Sequence, residues 1–570
     1  MKFFGNSHSS VILFLMFLCC MLLFVSKFNI LLTFLFLFLT TSLTIFFDRS
    51  SLKGHRFLFV GILSILFTLG KQIKFSTVST TYKENLIDTT FSLEKVVVFL
   101  SCFMINYFIL RGLEYITSKK WTLSPTKIGV KNILNNPLTV FTVLIIFWLP
   151  YLLALYPGCI LPDSLSSINQ ALGLRPLSNH HPVIFTLFLK FFINSFSFLG
   201  LNKSIFIYVL FQTIIFASIL SYFMCWLKKY EVSTLFRLLT FLYFALAPVF
   251  PIYALNVQKD TLFTSYLFLF SLKCIDTVVT RKLNNWSILV LVSSGVLATF
   301  YRNNGVYVVL MTFTILTIML IKQKRIRQSI IIAVSYLAVS FLLISPLVSR
   351  YSVPTAAAES LGIPLQQVSR TVVLKGDMSK KDKKYLDKLL PISEYEEYSP
   401  MLVDSIKWNP KFNNQLLNDD PLRFIKVWAR LLPKNFKVYV DAYLLNTYGF
   451  WAPFEKNYYG FLDTRVNAND LNIKQIDLIQ KGTSSDVMQR IIEKRNFLGS
   501  GTLFCLMIIG FYLYWIKKRQ FLWIGYLPSF LTWLSIMVAT PVAFSLRYVF
   551  ILAMSLPLFF CLPFLKFKAR

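Results

Sequence analysis

The chain has 570 residues, of which 56 % are hydrophobic and only 15 % are charged, and its mean hydropathy is +0.61. Soluble domains carry about 25 % charged residues, so this composition excludes a soluble enzyme and a disordered chain. Lys and Arg number 58 against 26 Asp and Glu, which gives a net charge of +32. On a membrane protein, such an excess indicates which side of the bilayer each loop faces, and no nucleic-acid partner is expected.

Apolar runs long enough to cross a bilayer recur along the whole chain. A crossing needs about 20 mostly apolar helical residues, so the sequence predicts an all-α polytopic membrane protein with about fourteen crossings. The runs centre on residues 11–26, 29–47, 56–70, 95–110, 137–155, 204–226, 235–254, 261–279, 287–300, 306–321, 329–348, 501–516, 521–539 and 545–563. The first run is interpreted as an uncleaved anchor, because no small-residue cleavage site follows it.

Clusters of Lys and Arg at the ends of these runs predict the orientation, because short positive loops stay cytoplasmic. The clusters are Arg49/Lys53/Arg56, Lys119/Lys120/Lys127/Lys131, Lys228/Lys229, Arg281/Lys282, Lys322/Lys324/Arg325/Arg327, Lys517/Lys518/Arg519 and Lys566/Lys568/Arg570. All of them face the cytoplasm if both termini lie inside and the apolar run Val183–Leu199 lies in the membrane interface. We therefore expect a multi-pass protein of the cell membrane with both termini in the cytoplasm.

The same pattern divides the chain into four parts. Residues 1–111 form additional N-terminal crossings, 112–348 form a core with an outer loop at 156–203, and 501–570 form the last crossings. Residues 349–500 are polar and mixed in charge, with helical patterns bounded by prolines, which predicts a mainly helical extracytoplasmic domain. Core packing is favoured over sugar binding for its aromatic clusters, which are Tyr395/Tyr398, Trp428, Tyr448/Phe450/Trp451/Phe454 and Tyr458/Tyr459.

Polar residues at the outer ends of the crossings are the candidates for catalysis or binding. An ionisable group near lipid costs free energy unless it forms an ion pair or has a function. These candidates are Asp163, His180, His181, Lys259, Asp260, Arg302, Asn303 and Arg547. Taken singly, each has a structural explanation. The first carboxylate can cap a helix, the Lys–Asp neighbours can form a local ion pair, and the arginines can reach lipid headgroups. The adjacent histidines lack an acidic partner, and no Cys/His metal spacing occurs in the sequence.

Taken together, these candidate residues place carboxylates and cations at one face of the membrane. Guanidinium groups bind phosphate oxygens bidentately, so two outward arginines suit a lipid phosphate or pyrophosphate in the outer leaflet. A carboxylate can accept the proton of an acceptor hydroxyl while the cations neutralise a departing phosphate. This set of groups favours sugar transfer from a lipid phosphate.

The order of these motifs resembles the GT-C superfamily of membrane glycosyltransferases, the class that contains protein O-mannosyltransferases and aminoarabinose transferases. In that class a crossing helix is followed by an outer loop with an essential acid and then by an interfacial helix, as in Tyr156–Leu199. More narrowly, the chain is similar over roughly 137–565 to a poorly characterised bacterial GT-C-like family. The shared residues are Tyr156-Pro157-Gly158, Asp163-Ser164, Asn179-His180-His181-Pro182, Lys259-Asp260, Arg302-Asn303-Asn304-Gly305 and Ile363-Pro364-Leu365-Gln366-Gln367.

The resemblance implies an inverting glycosyltransferase that takes a sugar from a polyprenyl-phosphate donor. The acceptor would be a cell-envelope glycan, a teichoic-acid-like polymer, a lipid or a protein on the outer face of a bacterial membrane. By the same resemblance, Asp163 would be the general base, and Arg302 and Arg547 would hold the lipid phosphate. The remaining substrate-binding residues would be His180, His181, Lys259, Asp260 and Asn303.

Two further expectations follow from the same comparison. Many GT-C members carry a pair of acids in the first outer loop, whereas this chain has Asp163-Ser164, so we expect no metal and no other cofactor. A transporter or flippase of lipid-linked saccharide is the alternative function. Transporters typically place charged groups near the bilayer midplane, whereas the charges singled out here lie at helix ends.

Overall fold

A computed structural model describes residues 53–73, 87–88, 90–118, 134–280, 283–339, 350, 356–453, 463–479, 498–517, 521–539 and 542–567. Over these ranges the chain is helical, and its β-structure is limited to isolated bridges. The helices up to residue 339 are α1 (Lys53–Lys71), α2 (Leu93–Ser118), α3 (Pro137–Ala154), α4 (Pro162–Ala171), α5 (Val183–Ser195), α6 (Leu201–Lys229), α7 (Thr234–Leu246), α8 (Val249–Leu255), α9 (Lys259–Val279), α10 (Asn285–Tyr301), α11 (Gly305–Lys322) and α12 (Ile326–Val339).

The described residues after 350 add ten helices. They are α13 (Gly362–Val373), α14 (Lys380–Leu389), α15 (Asp404–Lys407), α16 (Asn414–Asp419), α17 (Pro421–Leu431), α18 (Phe436–Thr447), α19 (Ser500–Lys517), α20 (Leu527–Val538), α21 (Phe550–Met554) and α22 (Leu556–Cys561). Short 3-10 turns at Leu546–Val549 and Leu562–Phe564 extend the last two helices into one apolar segment.

Eight helical segments among the described residues are long and apolar enough to cross a membrane, and the bent pair α7 and α8 would make a ninth. The sequence predicted about fourteen crossings, with about 20 residues needed for each. Two of the predicted runs, 11–26 and 29–47, lie outside the described residues. The remaining twelve runs are helical over most of their described residues. Helices α10 and α20 fall below the length of a single crossing, and residues 340–348 of the run that contains α12 lie outside the described residues.

The shortening of α20 has a local cause. The apolar run that contains it begins with Phe521 at a φ of 66° and continues through a 3-10 turn at Leu522–Gly525. Pro528 then lies in the first turn of the α-helix, where its missing N–H is tolerated. Only 12 of the apolar residues are therefore α-helical, although the run itself is long enough to span.

Helix α5 has the length expected of a helix that does not cross the bilayer. Its 13 residues extend about 20 Å at 1.5 Å per residue, against the roughly 30 Å of a hydrocarbon core. A 3-10 turn at Ser197–Leu199 and Gly200, at a φ of 85°, then lead the chain into α6. Helix α5 packs against both α4 and α6, so it fixes the position of the loop that precedes it.

The loop between α3 and α4 is held by backbone hydrogen bonds on two sides. Cys159 N–H donates to Leu255 O at 2.9 Å, and Cys159 O accepts from Val257 N–H at 3.0 Å. Gly158, at a φ of 131°, allows this close approach, because a Cβ there would lie 2.8 Å from Leu255 O. On the other side, Ile160 exchanges backbone hydrogen bonds with the segment 463–479.

The region between α12 and α19 contains a folded unit with its own core, which we call the inserted domain (residues 356–440). Its buried core extends from Ala358 to Tyr439 and includes Tyr395 and Tyr398, so these aromatic residues pack in a core as predicted. Further along the chain, Leu445 and Phe450 belong to the core of the apolar helices. The independently packed unit is thus shorter than the predicted range 349–500. Of the predicted aromatic clusters, Phe454, Tyr458 and Tyr459 lie outside the described residues.

Candidate functional site

Asp163 lies in the first turn of α4 and forms an ion pair with Arg547. The distance from Arg547 Nη1 to Asp163 Oδ2 is 2.7 Å, and the two side chains are 22 % and 33 % exposed. The second guanidinium nitrogen of Arg547 donates to the hydroxyl of Tyr548 at 2.8 Å. The structure therefore brings together two sequence candidates that are 384 positions apart.

His181 and Lys259 form a second contact in the same place. Lys259 Nζ lies 2.7 Å from His181 Nδ1. Because an ammonium group can only donate, Nδ1 must accept, and the neutral ring then carries its proton on Nε2. Burial lowers the pKa of His181 well below its ordinary value, and the charge of Lys259 lowers it further. His181 therefore presents a neutral imidazole.

The charges around Asp163 determine its protonation. Burial raises the pKa of Asp163, but the charges of Arg547 and Lys259 and the hydrogen bond from Arg547 lower it, and the net pKa lies well below the usual range. Asp163 is consequently ionised at neutral pH. A carboxylate in this state can accept a proton, but its basicity is reduced as long as the guanidinium remains in contact.

Arg302 is more deeply buried than Arg547, and its guanidinium is bound by other groups of the protein. Its side chain is 9 % exposed and stands 3.5 Å from the Asp260 carboxylate. Its Nη1 donates to the backbone carbonyl of Tyr548 at 2.9 Å, and its guanidinium lies 5.3 Å from the ring centres of both Phe263 and Tyr548. Arg302 therefore supports the turn that carries Arg547, and Arg547 is the more accessible of the two arginines.

Asn303 connects the turn after α10 to the loop before α5. Its amide donates to the backbone carbonyl of Asn179 at 2.7 Å. The two asparagines border a cleft of about 210 Å³, and the other lining residues are Pro182, Val183, Ile184, Thr299, Phe300, Val306 and Tyr307. The cleft therefore has a polar end near the histidines and mostly apolar walls.

The inserted domain contributes residues that were not among the sequence candidates. Glu359 Oε1 lies 3.6 Å from His180 Nδ1, while Glu359 Oε2 accepts from Lys407 Nζ at 2.6 Å. The ring of Trp408 meets that of His180 edge to face, with 5.8 Å between centres. Burial opposes the charged form of Lys407, but Asp404 and Glu359 raise its pKa, so it remains a cation. In sequence Glu359 and Lys407 are 48 positions apart, and only the tertiary contacts with His180 identify these residues.

The acidic side chains of the site form ion pairs with its basic side chains. Asp163 pairs with Arg547, Asp260 with Arg302, and Glu359 with Lys407. Among the residues that the structure describes, no group of three or more His, Cys, Asp and Glu side chains could hold a metal ion. The arrangement suits the recognition of an anion with a carboxylate close by.

The lowered pKa of His181 predicts that stability falls on acidification. The unfolded chain takes up a proton near the ordinary histidine value of 6.5, before the folded protein does, so the free energy of unfolding decreases as the pH falls below 6.5. Each tenfold difference in proton affinity corresponds to about 1.4 kcal/mol. We expect His181→Gln to flatten this loss in unfolding experiments between pH 6.5 and pH 4.

The neighbouring histidine provides the matched control. Burial also lowers the pKa of His180, but less strongly, and Glu359 opposes the effect. His180→Gln should therefore change the pH profile less than His181→Gln does. Asp163 contributes in a different range, because its stabilisation is lost only below its ordinary value of 3.8. If the two histidine variants changed the pH profile equally, the larger lowering of the pKa at His181 would be wrong.

Over the described residues, eight long apolar helices, a helical inserted domain and a site of paired charges define a helical protein of the multi-pass membrane class. A family of unknown function (DUF6020) matches residues 175–570, which is more than half of the chain. The chain belongs to this family. The match includes every site candidate except Asp163. Comparisons with curated proteins and with solved structures found no match.

Proposed function

We propose that the protein is a membrane glycosyltransferase. It transfers a sugar from a polyprenyl-phosphate donor to a cell-envelope acceptor, such as a glycan, a teichoic-acid-like polymer, a lipid or a protein. The observation that carries this proposal is the contact of Asp163 with Arg547 beside the His181–Lys259 pair. A base and two cations thus lie together at the ends of apolar helices, where a lipid phosphate can reach them.

The proposed reaction is a single inverting displacement. The acceptor hydroxyl gives its proton to Asp163, and its oxygen attacks the anomeric carbon of the sugar. The bond from that carbon to the phosphate oxygen breaks, and the electron pair leaves with the polyprenyl phosphate. Arg547 and Lys259 stabilise the charge on the departing phosphate. Arg302 holds the turn that positions Arg547.

The cleft next to Asn303 supports a donor with a lipid tail. Its walls include Val183, Ile184 and Phe300, and Tyr307 on its border is 67 % exposed. An isoprenoid chain needs an apolar path that begins at the phosphate and ends in the bilayer. The cleft lies between Asn179 and Pro182, which flank the histidines in sequence, and Tyr307 of α11, so we propose that it holds the isoprenoid chain.

The inserted domain is proposed to bind the acceptor. Trp408 is 61 % exposed although it is a large aromatic residue, and it lies against His180. An exposed aromatic face suits the apolar face of a sugar ring. In this proposal both termini are cytoplasmic, and residues 349–500 lie on the outer side of the cell membrane together with the site. Accessibility labelling of tags at Glu396 and at the C-terminus tests this orientation.

The decisive experiment follows a labelled donor in membrane vesicles that contain the protein. Transfer predicts that the label moves to the acceptor while unlabelled polyprenyl phosphate is released. The transport alternative is favoured by one observation, the 50° bend between α7 and α8, because broken helices are typical of transporters. If the lipid-linked sugar reaches the other leaflet intact and no product forms, the glycosyltransferase proposal is wrong.

Filling the cleft should weaken use of the donor. We expect Val306→Trp to raise the KM for the polyprenyl-phosphate sugar by about tenfold or more, because overpacking typically costs about 1–3 kcal/mol. Met311→Trp is the matched control, since Met311 lies on the same helix, is 49 % exposed and does not line the cleft. Equal kinetics of the two variants would show that the donor does not use this cleft.

A further inference from the structure

The ion pair of Asp163 and Arg547 conflicts with the roles that the two residues have in the proposed function. A carboxylate held by a guanidinium at 2.7 Å is a poor base, and a guanidinium that is already paired has fewer free donors for phosphate. Neither residue can perform its role fully while the pair persists. A step that separates them must precede the reaction.

The geometry shows which of the site's pairs can be separated by a ligand. The side chains of Asp163 and Arg547 are 33 % and 22 % exposed, whereas those of Asp260 and Arg302 are 3 % and 9 % exposed. A ligand from outside can therefore reach the first pair, while the second is enclosed. Arg547 would also keep its position without Asp163, because the Tyr548 hydroxyl accepts from its other nitrogen.

The carboxylate of Asp163 and the phosphate of a lipid donor can bind a guanidinium in the same way. A carboxylate and a phosphate each present two oxygens to the fork of a guanidinium, so they compete for the same donors. Lys259, which contacts His181 beside the pair, adds a second cation that an incoming phosphate can use. Asp163 thus occupies the place on Arg547 that the phosphate of a lipid would take.

We infer that Asp163 and the phosphate of the lipid donor compete for Arg547, so that donor binding releases Asp163 to act as the base. This inference rests on the proposed function and adds a regulatory step to it. Without donor, the base is held in an ion pair. After transfer, Asp163 loses its proton to solvent, pairs again with Arg547 and helps to displace the product phosphate.

The test measures binding instead of turnover. Farnesyl phosphate serves as the probe, with the purified full-length protein in nanodiscs. If the two anions compete, Asp163→Asn should bind farnesyl phosphate about tenfold more tightly than the wild type. The phosphate then no longer has to displace the charge-assisted hydrogen bond between Arg547 and Asp163. Arg547→Gln should bind it about tenfold more weakly.

Two controls separate competition from a general loss of negative charge. Glu396→Gln removes an exposed carboxylate of the inserted domain that lies outside the site, so it should change the affinity much less than Asp163→Asn does. In the Arg547→Gln background, Asp163→Asn should have almost no effect, because the two substitutions then act on one interaction. Thermal unfolding of every variant establishes that it is folded.

The outcomes distinguish this inference from the proposed function. Equal or weaker binding by Asp163→Asn overturns the inference even if the wild type transfers sugar, and so does an equal gain in Glu396→Gln. Failure of wild type and variant alike to bind farnesyl phosphate also overturns it. Tighter binding by Asp163→Asn supports competition at a lipid-phosphate site, and it does so even if no sugar transfer is found.

Discussion

Asp163→Asn should reduce sugar transfer by about 10²–10⁴-fold, the usual contribution of a general base. The amide keeps the shape of the carboxylate but cannot accept the proton of the acceptor hydroxyl. Because the substitution also removes a competitor for Arg547, the donor should still bind. The loss should therefore appear in kcat, while KM for the donor stays the same or falls.

The measurement uses a labelled polyprenyl-phosphate sugar and purified protein in nanodiscs, with product formation followed at saturating donor. Glu396→Gln is the matched control, because Glu396 is an exposed acid of the inserted domain outside the site. It should transfer sugar at the wild-type rate. If Asp163→Asn is folded and retains more than about a tenth of wild-type kcat, Asp163 is not the general base.

The location of the site could be predicted from the sequence because charge near lipid is informative. Asp163, Lys259 and Arg547 were singled out as ionisable groups at the ends of apolar runs, and the structure places them together. Such groups are costly there unless they pair, so the sequence alone predicts that these residues find partners. The apolar runs likewise predicted helices, and this prediction is confirmed where the runs lie within the described residues.

The partners and the depth of each side chain could not be predicted in this way. Nothing in a local pattern states that Asp163 pairs with Arg547, or that Glu359 reaches His180. Pairing depends on how distant helices pack, and the two arginines look alike in sequence although only Arg547 is accessible. The number of crossings stays a prediction, because turns such as the one at Phe521 shorten helices within uniformly apolar runs and two of the predicted runs lie outside the described residues.

Arg56 is another residue whose burial and ion-pair partner could not be predicted from the sequence. In sequence it belongs to a positive cluster that predicts a cytoplasmic loop, but in the structure its side chain is fully buried. Its Nε and Nη2 donate to the two carboxylate oxygens of Glu114 at 2.9 and 2.8 Å. The Tyr512 hydroxyl also donates to Glu114, and Arg111 lies 3.2 Å from it. This carboxylate therefore joins α1 and α2 to α19.

Glu114→Gln should destabilise the protein by about 3–5 kcal/mol, because removal of one partner leaves a buried charge uncompensated. The neutral amide can accept from Arg56 at only one oxygen, whereas the carboxylate accepts at both. Arg111→Gln is the matched control, since its side chain is 28 % exposed and its loss should cost no more than about 1 kcal/mol. Chemical unfolding in detergent micelles measures both differences.

A double substitution decides whether the loss arises from the uncompensated guanidinium. If it does, Arg56→Met together with Glu114→Gln should be more stable than Glu114→Gln alone, because no unpaired charge remains buried. If the loss arises instead from the contact of Glu114 with Tyr512, the double variant will be no more stable than the single one. Tyr512→Phe in the wild type and in Glu114→Gln then measures that contact directly. Since this cluster does not include the proposed catalytic groups, its outcome is independent of the function assigned to Asp163.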